Sequence, residues 1–432
     1  MMKSIQWICL STAVMVCLFC TNVLWASTPE RLPLGVSRMA NQAGLLMAQK
    51  KVNEAVSFLE KAVAKPHAHY YLHFILGNAL LMDPPDTQAK AAEKESAQDP
   101  KKVVSPVPGR RDRITRAARA FTKALEQKPD MSSAWFNLAR CRYELEALAP
   151  AGQAFARAYE TAPEKKAETL YFSAACYSAA GQFERAMAQF QGLIRDHGPE
   201  MKLPWKEALV HVFFSLERYE GALPWIEELT RITRGKKQKK WREILLQQYL
   251  ALEMMDKALD YALFLTREDT LEPKWWKSLA HIRLTRFQAG GGQHRSGPRQ
   301  ALTALVVYGY LTPLTPDETR LLADLYSACN IPLRAARAWA DWVATREATL
   351  GDVGVTAEGV ADDGKQGENP WEQVLERYHT IALAHLSSGD LQGAQDWVER
   401  GLKHPRARAP EAGKKLRELD DVLATMARYR TL

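Results

Sequence analysis

The feature that most restricts this chain is a pattern that returns. Ala117, Phe121, Ala124 and Pro129 are followed by Ala151, Phe155, Ala158 and Pro163, the same four residues displaced by 151 − 117 = 34 positions. Between these marks, Met131 to Pro163 reads as two amphipathic helices joined by a tight turn. Trp135, Leu138 and Ala139 lie on the first helix, Ala151, Phe155 and Ala158 on the second, and Pro163 ends the unit. Small residues let two helices cross closely, and the aromatic one turn away fills the gap beside them. Neither helix can bury its apolar stripe alone, so the unit requires neighbours.

Trp at the fourth place, Leu-Ala at the seventh and eighth, then Ala, Phe, Ala and Pro in register resembles the tetratricopeptide repeat, whose period is about 34 residues. The resemblance implies an all-α fold, an α-solenoid of about nine helix-turn-helix repeats wound into a right-handed superhelix. At 432 residues and 47% hydrophobic composition, the chain has the length and the apolar content for such an array.

The pattern recurs through the sequence. Ala43 and then Ala55, Leu59 and Ala62 mark a first repeat, and Tyr70 to Met82, with Leu76-Gly77 at the seventh and eighth places, opens a second. Ala186 and Phe190, Ala222 and Ile226, Ala258 and Ala262, Ala301 and Leu305, Ala335 and Trp339, and Ala394 and Val398 continue the second-helix series. Two stretches interrupt it. Residues 83–112 are rich in Pro, Lys, Asp and Glu and lack a periodic apolar face, which reads as a mobile insertion, and residues 346–370 read as a flexible acidic one. The organisation expected is therefore N-terminal repeats over 27–82, a central array over 113–345, a C-terminal repeat over 371–408 and a charged capping helix within 409–432.

Residues 1–26 stand apart. Lys3, the apolar run Ile5 to Trp25 and a small residue at Ala26 before Ser27 read as a bacterial secretory signal, so the expected location is periplasmic. The run is nearly long enough to span a bilayer, which leaves an uncleaved inner-membrane anchor as the second reading. Cys20 follows the bulky Phe19, which disfavours lipid attachment there. Cys9, Cys17 and Cys20 lie in this segment, leaving Cys141, Cys176 and Cys329 at apolar helix positions, read as buried thiols.

The formal charge is +8, and +7 once Lys3 leaves with the signal. Arg231, Arg234, Lys236, Lys237, Lys239, Lys240 and Arg242 crowd one inter-repeat turn with no acid among them. In an exported protein nucleic acid is not an expected partner. Anionic headgroups, cell-wall polymer or an acidic protein face are the functional candidates, and a solvated loop is the structural alternative.

Signs of catalysis are missing. Gly359 to Gln366 has the glycine and lysine spacing of a phosphate loop but ends in Gln where Ser or Thr should hold magnesium, and Gly290-Gly291-Gly292 follows a helix instead of a strand. His67, His69 and His73 lie close together without a fourth ligand, so no metal and no cofactor is expected. His-Glu-x-x-His and Gly-x-Ser-x-Gly are absent.

The repeat register instead places Asn78, Phe136, Arg140, Tyr143, Tyr171, His211, Phe214, Gln247 and His281 in a concave groove lined by the first helices, where the family's proteins contact extended or helical peptides. The family's carboxylate clamp is disfavoured because Phe74 stands where a polar residue is needed. The segments Leu322–Tyr326 and Ile331–Ala336, with the signal-plus-repeats arrangement, are similar to repeat proteins accompanying TonB-type energy-transduction systems. The function expected is a non-enzymatic periplasmic scaffold for a protein partner of the cell envelope. The alternative is an assembly factor for cell-wall or surface polysaccharide that holds acidic polymer on its basic turns.

Overall fold

The computed structural model describes residues 32–82, 109–289, 297–352, 370–408 and 413–430. The expected signal, the Gly359–Gln366 segment and most of both insertions lie outside these residues. Regular structure among the described residues is helical throughout, and the chain forms two compact units, Met1–Leu245 and Leu246–Leu432.

The first unit holds five helix pairs: α1 (Leu34–Ala48) with α2 (Val52–Val63), α3 (Tyr70–Leu81) with α4 (Arg110–Gln127), α5 (Ser132–Glu144) with α6 (Leu148–Thr161), α7 (Ala167–Ala179) with α8 (Phe183–His197), and α9 (Leu203–Ser215) with α10 (Tyr219–Ile232). Helix α11 (Gly235–Ala251) begins in this unit and ends in the second. The second unit continues with α12 (Met255–Glu268), then α13 (Pro273–Ala289) with α14 (Gly297–Leu311), α15 (Pro316–Ala328) with α16 (Pro332–Asp352), α17 (Pro370–Ser387) with α18 (Leu391–Lys403), and a final α19 (Lys414–Arg430). From α1 to α10 and from α12 to α19, each helix packs on the next in chain order, the arrangement of a solenoid.

The second helices explain why. Each presents residues at i, i+4 and i+7 to one side, and these are buried in every pair: Ala55, Leu59 and Ala62; Ala117, Phe121 and Ala124; Ala151, Phe155 and Ala158; Ala186, Phe190 and Leu193; Ala222, Ile226 and Leu229. The second unit repeats the arrangement with Ala258, Ala262 and Leu265, Ala301, Leu305 and Tyr308, and Ala335, Trp339 and Trp342. Facing them, the small-residue places Ala43, Gly77, Ala139, Ala174, Ala280, Ala323 and Ala382 of the first helices are buried too. At Gly77 the fit is tight: a Cβ there would stand 2.6 Å from the Phe121 ring, so the one aromatic of α4 occupies the space that glycine leaves on α3. Burying a Phe of this kind contributes roughly 1.5–3 kcal/mol, so the recurring triad carries much of the fold.

The turns repeat as strictly as the cores. In the pair α5–α6, Ala147 N donates to Arg142 O at 2.9 Å and Glu146 N to Tyr143 O at 2.9 Å, with Glu146 left-handed at φ 63°. The same two bonds, around one left-handed residue, recur at Lys50, Gly181, Glu217, Glu253, Asn330 and Gly389. This is the Schellman closure of a helix, which satisfies its last carbonyls and aims the chain back along itself. Glycine adopts that conformation freely; the glutamates and Lys50 do so against steric resistance.

Several boundaries differ from the sequence reading. Helix α4 starts at Arg110, inside the range assigned to the first insertion, because Arg113 on its first turn donates to the carbonyls of Leu80 and Met82 and so closes α3. Helix α16 runs to Asp352, into the range of the acidic insertion. The terminal α19 buries Leu416, Leu419 and Leu423 on its inner side, yet its outer side exposes Val422, Met426 and Tyr429, so this cover is less polar than its charge content suggests.

The left-handed turn residues give a direct test. Glu217→Gly should raise stability by about 0.5–1 kcal/mol and Gly181→Ala should lower it by about 1 kcal/mol, read from urea unfolding midpoints. Equal midpoints for both variants would remove the turn from the stability account.

Candidate partner-binding face

The first helices of the first unit stand in a row. Asn137 Nδ2 on α5 donates to Asn78 Oδ1 on α3 at 2.8 Å. Lys202 at the start of α9 meets Glu168 on α7 at 2.6 Å, and the rings of Tyr171 and Trp205 stack at 5.0 Å between the same two helices. A ladder of polar links at 34-residue separation runs through this unit: Arg110 to Glu144 at 3.0 Å, Glu168 to Lys202, Glu184 to Arg218 at 2.8 Å, and Trp241 Nε1 to Glu207 at 3.3 Å. Exposed pairs of this kind contribute little singly, but they mark a register in which each repeat presents the same places to solvent.

On this face Asn78, Phe136, Arg140, Tyr143, His211 and Phe214 are half-buried. Phe136 meets Phe155 edge-on at 5.5 Å, Phe214 tilts against Tyr219 at 5.7 Å, and His211 meets Phe183 edge-on at 6.0 Å. Burial raises the Tyr143 hydroxyl above its ordinary range and lowers the His211 imidazole. Arg140 lines a cleft of about 40 Å³ with Arg110, Arg113, Glu144 and the C-terminal end of α3. The half-buried aromatics are thus anchored at their inner edges and open at their outer ones.

Tyr171 does not belong with them. It is 7% exposed and packed against Trp205, Phe172 and Phe190, because the Trp205 ring of the following first helix covers the place where Phe136 is open. Gln247 and His281 are exposed, but they lie in the second unit.

The second unit has its own first-helix face, which sequence reasoning left unread. Asp324 follows Ala323 as Arg140 follows Ala139, and Arg320 lies one turn before it. Arg320 on α15 and Gln373 and Arg377 on α17 line a second cleft of about 40 Å³ with Trp342, and the Arg377 guanidinium sits 4.2 Å from the centre of the buried Trp339 ring. Carrying the repeat register past His281 would have found Arg320 and Asp324. Both clefts are far smaller than the roughly 300–1,000 Å³ of small-molecule sites.

The basic cluster is also placed differently than expected. Lys236, Lys237, Lys239, Lys240 and Arg242 stand on the first turns of helix α11; only Arg234 lies in the turn, with Arg231 at the end of α10. Lysine is a good helix former, and the apolar Ile244 and Leu245 that follow draw the run into the helix and are buried. Lys237 pairs with Glu207 at 2.7 Å.

The remaining sequence candidates have structural positions. His69 caps α3, its Nδ1 accepting from Tyr71 N at 3.3 Å, while His73 is buried and His67 is left-handed in the preceding turn. Among the described residues no group of three or more His, Cys, Asp or Glu is arranged to hold a metal ion. Cys141, Cys176 and Cys329 are buried free thiols, and burial pushes those of Cys141 and Cys176 up to about 12.

Burial holds the imidazoles of His73, His211 and His379 below the histidine range, with Lys123 adding to the effect at His73 and Lys415 at His379. The unfolded chain takes up protons at these sites from about pH 6.5 downward while the folded chain resists, so their contribution is intact above that pH and is lost as pH falls toward the folded-state values. Urea midpoints should fall between about pH 7.5 and about pH 5.5, and His73→Phe should flatten that slope; a midpoint that rises on acidification would contradict the assignment.

Residues 109–165 match the family model described as tetratricopeptide repeat. Among solved structures, YrrB, a TPR protein with an unusual peptide-binding site, is similar at 18% identity and TM-score 0.30, over 49% of this chain and 99% of that one. The TPR domain of P58(IPK) is similar at 12% identity and TM-score 0.26, over 92% and 99%. A tetratricopeptide repeat protein from Parabacteroides merdae is similar at 13% identity and TM-score 0.28, over 63% and 95%. No curated relative matches the chain by sequence. Residues 109–165 thus carry a tetratricopeptide repeat, and the buried triad, the small-residue place and the left-handed turn of that segment recur in helix pairs on both sides of it.

Proposed function

We propose that this protein is a non-enzymatic scaffold of the bacterial cell envelope, facing the periplasm, that docks an extended or helical segment of a partner protein on the first helices of its first unit. The observation that carries this reading is the row of half-buried aromatics with polar groups beside them: Phe74, Phe136, Tyr143 and Phe214, interleaved with Asn78, Arg140 and His211. Rigid aromatics fixed at one edge give contact area at low entropic cost, and the polar groups between them can satisfy a peptide backbone. The small clefts favour a docking surface over a substrate chamber. The signal-like start supports export, and the similarity at Leu322–Tyr326 and Ile331–Ala336 supports a partner among TonB-type energy-transduction subunits.

Site-specific photo-crosslinking in intact cells tests the reading. A crosslinker at Tyr143 or Phe214 should join one and the same envelope protein, and one at the exposed Arg157 on α6 should not. Phe136→Ala should reduce the Tyr143 crosslink about tenfold. Equal crosslinking from all three positions, or products only with cytoplasmic proteins, would overturn it.

A further inference from the structure

We infer that the cationic surface where α10 meets α11 docks on an anionic lipid bilayer, with Ile232 entering the headgroup layer. This goes beyond the peptide-docking face and uses none of its residues. From Arg231 to Arg242 the chain carries seven cations and no acid. Lys237 is neutralised by Glu207, and Lys239 and Arg242 have neighbours of their own. Arg231, Arg234, Lys236 and Lys240 are exposed, and among the described residues none of these four has an ion-pair partner. The Arg234 guanidinium donates to the carbonyls of Arg231 and Thr233 at 3.0 and 3.3 Å, which fixes its position at the turn without cancelling its charge.

This arrangement is unfavourable for the helix itself. The first turns of α11 contain lysines and no acid, at the end where the helix dipole is already positive. An external anion relieves both the dipole and the mutual repulsion of the lysines. Ile232 decides which anion. It is 46% exposed in the last turn of α10, one residue from Arg231 and two from Arg234. A bilayer surface accepts cations at its phosphates and an apolar side chain at the acyl boundary just beneath, whereas a soluble acidic polymer offers only the charges. No helix among the described residues is long and apolar enough to cross a membrane, and the contact inferred here is peripheral.

Sedimentation with vesicles tests this directly, using the full chain and its variants so that any contribution of residues 1–26 is common to all. Probes are vesicles of phosphatidylcholine alone, vesicles with one quarter phosphatidylglycerol, and polygalacturonate as a soluble polyanion. The wild-type chain should partition at least about tenfold better onto the anionic vesicles than the neutral ones at about 50 mM salt, and that preference should collapse at about 500 mM. R231E/R234E/K236E/K240E should bring partitioning to the neutral-vesicle level, and I232S should reduce it about threefold without changing binding to polygalacturonate. Circular dichroism and thermal melts establish that each variant is folded, and should the quadruple variant unfold, the salt dependence and I232S carry the test. No preference for anionic vesicles, or a folded quadruple variant that binds as wild type, overturns the inference. Charge-dependent binding that I232S leaves unchanged, or binding to polygalacturonate alone, overturns the lipid assignment in favour of an acidic polymer.

Discussion

The structure depends on one recurring constraint: a second helix whose buried triad can be covered only by the helices that precede and follow it. Phe121, Phe155 and Phe190 are each at most 1% exposed. Phe155 touches Phe136 on the helix before it and Phe172 on the helix after it, at ring separations of 5.5 Å in both directions. Gly152, one turn before Phe155, lets α7 approach α6 closely, and Ser173 Oγ donates to its carbonyl at 2.8 Å. The chain therefore builds its interior by addition of like units, and the remaining surfaces of the first helices are left to solvent or partners.

Much of this was legible because burial leaves a periodic trace. Ala117, Phe121 and Ala124 and their copies announce themselves through spacing, and all of them are core. The turns were less legible. Gly181 and Gly389 signal a left-handed position, but Glu146, Glu217 and Glu253 hold the same conformation with a side chain that gives no such signal, since the flanking helices over-determine it. The ladder of 34-spaced polar links was equally silent, because surface charges carry no apolar rhythm. Tyr171 was misplaced for the opposite reason. Its register equals that of Phe136, and only the identity of Trp205 on the following first helix decides that one ring is covered and the other open. Polarity alone makes the lysine run of α11 read as a turn, whereas the helix propensity of lysine places it in the helix.

Function is written more faintly than fold because stacking restrains the inner faces of the helices and leaves the outer ones free to vary. In the first unit the open face combines aromatics with Asn78, Arg140 and His211; in the second it combines Arg320, Asp324 and Arg377 with buried tryptophans. The two units thus offer different chemistries on equivalent places of one repeat. The exposed Val422, Met426 and Tyr429 of α19 add an apolar edge where the array ends.

The nearest-neighbour character of the stack is the claim on which the remainder rests, and hydrogen exchange read by mass spectrometry on a Phe190→Ala variant measures it. Removing a fully buried Phe costs roughly 3–5 kcal/mol, enough to open the helices around it. Exchange should be faster in α7 to α10, with protection retained in α1 to α3 and in α13 to α19. Uniform loss of protection along the whole chain would instead show one indivisible core, and the stack of separable repeats would have to be abandoned.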